Sequence, residues 1–443
     1  MIETFKALLR NKIFWYLASR YGTFAIQFLT SIWLALKLGP YYFGLWSFIL
    51  LLANVGSQCN WGIANAVNIL LIQHKEDRSR CAAYEFNSLV MTGVICILPF
   101  LVALFDTFWP IPLFAKYQLS RLSYAVAFVV ASFYLNLLFI NILRVKNRIL
   151  EIAINQSLFP VLTFVAICFA SDRLLLDLLV GAYIVAMLVS IFLFVRTRCV
   201  ALRGYVSVSV MREIAVKGFY LFLYNACFYL IMLSTKMLIS VYYPVETFGH
   251  FAFAFNVANA TTLFIDSLMF LLFPKMIDVL RKGEASEIAE KLGVMRICYI
   301  GTMVMLFAAM TCAFSVLIRF MPKYAPSLSI FIALAGTLLV YTFCFGYSAF
   351  MLARNQERKM AVYSMMGLTT NIVAVWLLAA YCCVTVVGCL AGTAMAYFLY
   401  MVLVNGRVRR QLAITRIVPS VAQWKSAVDI VIKMLRSSRV MEI

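Results

Sequence analysis

Two cationic side chains, Arg20 and Lys236, stand inside stretches of this 443-residue chain that are otherwise strongly apolar. Asp266 does the same with the opposite sign. Amides run beside them at helical spacing. Asn54, Gln58, Trp61, Asn65 and Asn68 follow at steps of 4, 3, 4 and 3, which sets them on one face of one helix. Gln27 shares a face with Arg20, Asn225 and Tyr229 share one with Lys236, and Asn256 and Asn259 precede Asp266. In a medium of low dielectric a cation attracts phosphate far more strongly than in water. Amides and flat aromatic faces suit sugars, and a buried carboxylate takes a proton or an ion. These residue types recognise and carry a polar, anionic cargo. They make no covalent bond.

Each residue also has a plainer reading. A membrane-buried Asn often only hydrogen-bonds a neighbouring helix. Arg20 lies roughly 10 Å from the start of its stretch and Lys236 near the end of its own, so either faces a cavity or snorkels to headgroups. An unpaired Asp266 is the costliest of the three, and we expect it to meet Arg20 across two halves of the molecule.

Catalytic patterns do not compete with this reading. The chain has no GxxxxGK[ST], HExxH or GxSxG, and its two histidines, His74 and His250, are isolated. Twelve cysteines are scattered without a CxxC. We expect no enzyme, no cofactor and no metal. A glycan polymerase or ligase would bring a large outer loop, and none is long enough here.

The elements that must position these residues follow from composition. Only 13% of residues are charged and 64% are apolar, against about 25% and about 45–50% in soluble domains. Twelve stretches reach the length of roughly 20 residues that a spanning helix needs: roughly 13–36, 41–72, 86–105, 122–143, 152–170, 178–195, 218–241, 251–273, 297–318, 328–352, 361–380 and 384–404. The second is long enough to hold a kink. With the N-terminus inside, thirty of the 38 Lys and Arg fall in inner segments and six in outer loops, leaving Arg20 and Lys236 in spans. That asymmetry puts both termini in the cytoplasm. It also directs the net charge of +20 to the membrane rather than to nucleic acid. Beyond Pro419, Val421, Trp424, Val428, Val431 and Leu435 form the apolar stripe of an amphipathic tail, with Lys425, Lys433 and Arg436 opposite.

A repeat organises the spans. Phe43-Gly44 is matched by Phe248-Gly249 at an offset of 205, and so are Phe48 by Phe253 and Asn54 by Asn259, with Pro40 and Pro244 ahead of each pair. The offset maps spans 1–6 onto 7–12. We therefore expect an all-α polytopic membrane protein of about 12 transmembrane helices, as two six-helix halves (1–200 and 201–410) around a central cavity, then a tail (411–443). Spans 1, 2, 7 and 8 hold twelve of the eighteen Asn, Gln and charged residues within spans, so these four line the cavity.

The segment LKLGPYYFGLWSFILLLAN at 36–54 resembles the Wzx-type oligosaccharide flippases of the multidrug/oligosaccharidyl-lipid/polysaccharide superfamily, through Leu38-Gly39-Pro40 and Phe43-Gly44-Leu45-Trp46. Phe248-Gly249 with the following FAFAFN, and LFPKM ending at Met276, extend the likeness. The resemblance implies a flippase that moves undecaprenyl-diphosphate-linked oligosaccharide from the inner to the outer leaflet of the bacterial cytoplasmic (inner) membrane. The cargo would be a repeat unit of O-antigen, in lipopolysaccharide biosynthesis, or of another surface polysaccharide. It also implies alternating access with ion coupling, a cavity in which Arg20 and Lys236 meet the diphosphate, and partners among membrane lipids and the polysaccharide polymerase machinery. A drug or metabolite antiporter of the same superfamily is the alternative.

Overall fold

The computed structural model describes residues 12–58, 60–169, 175–196, 204–282, 285–382 and 384–413. At 12–21, 24, 149, 175–176, 220–221, 263–279, 281–282 and 285–286 it describes the backbone alone. The expected tail at 414–443 lies outside these residues. The described chain is all-α: α1 (Lys12–Gln58), α2 (Ile63–Gln73), α3 (Arg78–Ile95), α4 (Ile97–Phe108), α5 (Pro112–Lys116), α6 (Ser123–Val145), α7 (Ile149–Phe169), α8 (Leu175–Arg196), α9 (Val208–Tyr242), α10 (Val245–Lys282), α11 (Ala285–Phe320), α12 (Ser327–Thr342), α13 (Tyr347–Ala353), α14 (Glu357–Ala380) and α15 (Val386–Gln411). Among the described residues each of the twelve apolar stretches is mostly helical. Among the described residues nine helices are long and apolar enough to cross a membrane, ten if α12 and α13, bent by 43°, form one span. The protein is a polytopic membrane protein.

Two breaks divide the first helices. Within α1, Gly39 adopts φ 68° and ψ 172° just ahead of Pro40. Proline drives its predecessor out of the helical region, only glycine takes this φ at little cost, and proline itself fits a first helical turn. The first two apolar stretches are separated there. The second break overturns an expectation. Residues 41–72 are not one helix, because α1 ends at Gln58 and α2 starts at Ile63. Trp61 (φ 55°) and Gly62 (φ 74°) are left-handed between them. The Asn60 side chain stabilises the turn by donating to Ser57 O at 2.7 Å and accepting from Gly62 N at 2.9 Å. The 4, 3, 4, 3 spacing therefore does not describe a single face: Asn54 and Gln58 belong to one helix, Asn65 and Asn68 to the next.

Contacts divide the chain into two compact units. The N-terminal unit comprises residues up to Ala226 together with Ile239–Asn256, and the C-terminal unit comprises Cys227–Leu238 together with residues from Val257 onward. In the first, α6 is central and packs on α1, α2, α3, α4, α7 and α8. Val67, Leu70, Tyr84, Ile142, Leu143 and Ile214 build part of its core. In the second, α15 packs on α12, α13 and α14.

Lipid tails are as apolar as the helices, so close packing and interhelical hydrogen bonds hold such bundles together. In the N-terminal unit Gly62 and Gly218 let α2 and α9 touch: a Cβ on Gly218 would lie 2.8 Å from Gly62 O. Asn136 and Asn155 exchange amide hydrogen bonds at 3.2 and 3.0 Å between α6 and α7. In the C-terminal unit Asn371 donates to Ile231 O (2.7 Å), Ser234 Oγ (2.9 Å) and Thr235 Oγ1 (2.9 Å), and Thr235 meets Thr393 at 2.8 Å. That buried knot fixes α9, α14 and α15 beside Lys236.

Candidate functional site

The side chains of Arg20 and Asp266 lie outside the described residues, and with them the expected ion pair. Lys236 is deeply buried on α9, 4% exposed, next to the Thr235–Asn371–Thr393 knot. Tyr229, two turns earlier on α9, is half-exposed, and Asn225 is exposed. Gln27, Trp61 and Asn259 are exposed as well, while Asn54, Gln58 and Asn65 are half-buried.

Two candidate amides are spent on protein. Asn68 donates to Asn141 Oδ1 at 3.0 Å, tying α2 to α6, and Asn256 donates to Ser31 Oγ at 3.2 Å, tying α10 to α1. Asn259 accepts locally from the Thr262 hydroxyl, through its backbone oxygen at 2.8 Å and its side chain at 3.4 Å. The stripe read from spacing thus mixes helix-joining amides with exposed ones.

The repeated residues meet one another. Within the N-terminal unit, Phe43 contacts Phe253 edge to face (5.9 Å between ring centroids), and Phe48 contacts Phe248 likewise (6.3 Å). At an offset of 205 these two contacts are the same contact with its partners exchanged. The backbone repeats the pattern: a Cβ on Gly44 would collide with Val245 O, and a Cβ on Gly249 with Pro40 O. Val245 stands 205 residues after Pro40. The crossing of α1 and α10 is locally two-fold, and glycine is required at both centres because the obstacle is backbone.

A second feature beside this crossing was not visible in the sequence. Lys116, at the end of α5, donates to three carbonyls at the end of α9: Ser240 O (2.8 Å), Val241 O (2.9 Å) and Tyr243 O (2.7 Å). The Tyr117 hydroxyl donates to Ser240 O at 3.0 Å, and its ring stacks on Phe48 at 3.9 Å. The last carbonyls of a helix lack intrahelical partners and carry the negative end of its dipole, so an ammonium is the matching cap. Burial lowers the Lys116 pKa, and the three carbonyl oxygens work the other way by favouring the charged form. Burial raises the Tyr117 pKa, so the phenol stays protonated and donating. Asp106, itself buried, shapes this loop by accepting from Ile111 N at 2.8 Å.

Among the described residues no cluster of three His, Cys, Asp or Glu side chains could hold a metal ion. A cavity of about 420 Å³ in the N-terminal unit is lined by Lys75, Arg78, Lys146 and Glu85, among others. It contains none of the residues singled out by spacing, and its Lys146 and Glu85 are paired with each other at 2.7 Å.

Residues 9–279, more than half of the chain, match the family described as polysaccharide biosynthesis protein. The chain belongs to that family. Among solved structures, this family member is similar to the lipid II flippase MurJ in an inward closed conformation, at 14% identity and a TM-score of 0.68, covering 96% of this chain and 93% of that one. It is also similar to a multidrug resistance MATE family transporter of the MOP superfamily in an inward-facing conformation (12% identity, TM-score 0.66, 91% and 95% covered). A third is the MATE multidrug transporter DinF-BH (14%, TM-score 0.63, 91% and 95%). At these identities the likeness establishes a shared fold. No curated protein sequence matches the chain.

Proposed function

We propose that the protein is a flippase. It carries an undecaprenyl-diphosphate-linked oligosaccharide, the repeat unit of O-antigen or another surface polysaccharide, from the inner to the outer leaflet of a bacterial cytoplasmic membrane. Membership in the polysaccharide biosynthesis family carries this reading, and the placement of Lys236 supports it. A lysine buried in an apolar helix bundle is costly to keep unless its charge is used. The proposed route is alternating access in a chain of twelve spans, with both termini inside and ion coupling through Asp266. Spans 1, 2, 7 and 8 line the path, Lys236 and Arg20 meet the diphosphate, and exposed Trp61, Asn225, Tyr229 and Asn259 meet sugars. The prenyl chain stays in lipid, so no bond is made or broken and no enzyme chemistry is needed.

The test is leaflet-resolved display of the lipid-linked oligosaccharide in a host depleted of the protein. Depletion confines the cargo to the inner leaflet, and Lys236→Gln restores no more than about a tenth of wild-type display, as expected for losing one charge-assisted contact. Unchanged display together with altered drug resistance would replace this reading by multidrug transport, the activity named for the MATE neighbours.

A further inference from the structure

Three helices of the C-terminal unit meet where α12 gives way to α13. The chain turns through Gly346 at φ 82°, which frees the carbonyl of Phe343 from the helical ladder. Arg296 Nη2 donates to that oxygen at 3.1 Å and Asn405 Nδ2 at 3.3 Å. The Arg296 guanidinium lies over the Tyr347 ring, 4.0 Å from its centroid. A Cβ on Gly346 would sit 3.0 Å from Arg296 Cγ, so the bare glycine makes room for this side chain.

Two atoms at this junction are shielded from solvent and have no hydrogen-bond partner: the Nε of Arg296 and the Oδ1 of Asn405. One is a donor and the other an acceptor. Arg409, one turn beyond Asn405, is close enough to repel Arg296 electrostatically. Among the described residues, the ionisable side chains acting on Arg296 are Tyr347, Arg409 and Cys344, and none is a carboxylate. The surroundings are equally one-sided: between 343 and 413 six cations face a single acid, Glu357. Like charge acting on a half-buried guanidinium is costly, and an anion offsets it.

We propose that Arg296, Asn405 and Arg409 bind the headgroup of an anionic membrane lipid whose phosphate is flanked by a hydroxyl. The phosphate oxygens take the Nε–H edge of Arg296 and the charge of Arg409, since a guanidinium edge matches a phosphate bidentately. The hydroxyl donates to Asn405 Oδ1, which is fixed as an acceptor because the amide nitrogen is already committed to Phe343 O. Inorganic diphosphate supplies the same oxyanion without that flanking alcohol. The basic ends of the helices are the inner-leaflet ends by the distribution of Lys and Arg, and basic pockets between helices on that side suit lipid phosphates. The site does not depend on the flippase reading.

The experiment uses the full-length protein in phosphatidylcholine nanodiscs doped with phosphatidylglycerol, with bound lipid counted by native mass spectrometry. Wild type retains phosphatidylglycerol over phosphatidylcholine by about tenfold, and Arg296→Gln removes that preference. Should that variant fail to fold, Arg409→Gln, on the more open side, lowers the preference by at least about threefold. Arg354→Gln, which removes a cation of the same unit that lies over Phe350, leaves it unchanged. Full retention in both site variants overturns the site, and so does equal loss in Arg354→Gln, which would mean diffuse attraction. Thermal stabilisation by inorganic diphosphate in undoped nanodiscs, without selective phosphatidylglycerol retention, overturns the lipid assignment.

Discussion

The basic ends of the two units solve the same electrostatic problem in different ways. In the N-terminal unit cations are matched to carboxylates between elements. Lys146 at the end of α6 meets Glu85 of α3 at 2.7 Å, and Arg148 pairs with Glu151. The Tyr84 hydroxyl accepts from Arg80 Nε and donates to Glu213 Oε2, both at 2.9 Å, joining α3 to α9. In the C-terminal unit Arg296 is held by a ring face and a carbonyl oxygen. An excess of Lys and Arg on one side of a membrane therefore says where the chain lies, and not what each charge does. One set staples helices together. The other, at Arg296, is held without a carboxylate among the described residues.

The comparison can be broken most forcefully at Glu85. Its side chain is 6% exposed, so Glu85→Gln strands the Lys146 ammonium over a dry carboxamide. Breaking fully buried pairs costs about 3–5 kcal/mol, but Lys146 is 36% exposed and can swing to water. We expect a loss of about 1–2 kcal/mol, read as a fall in melting temperature in detergent, with part of it recovered by adding Lys146→Met. Next in size is Tyr84→Phe, which takes the shared hydroxyl from between two helices and costs about 1 kcal/mol by the same measurement. If Glu85→Gln and Tyr84→Phe leave the melting temperature untouched, the N-terminal pairs are not staples. The smallest effect belongs to the other unit. Arg409→Gln changes stability by less than about 0.5 kcal/mol, because it relieves repulsion on Arg296. A loss as large as that of Glu85→Gln would erase the distinction between the units.

What was legible in the sequence follows from what hydropathy measures, the cost of a residue's own transfer into lipid. The twelve apolar stretches are mostly helix among the described residues, and the separation at Gly39-Pro40 is written in the dipeptide. The break at Trp61-Gly62 was not, because a tryptophan in a left-handed conformation has no compositional signature. Partners across helices were equally silent. Asn68 and Asn65 look alike as a pattern, yet only Asn68 is shown donating to a helix-joining side chain, Asn141. Lys116 read as one outer-loop cation among six, since its partners are backbone carbonyls that every residue type supplies. Arg296 and Asn405 escaped notice for the same reason: the oxygen that gathers them exists because a helix stops at Phe343.

The reciprocal crossing of Gly44 with Val245 and Gly249 with Pro40 bears on how such a chain changes over generations. After a duplication the two copies of a repeat are ordinarily free to drift apart, each under its own constraints. Here the copies touch face to face, and each supplies the surface against which the other is judged. A side chain gained at Gly44 would be refused by the second copy, and one gained at Gly249 by the first. At this contact the two glycines are inherited as a pair.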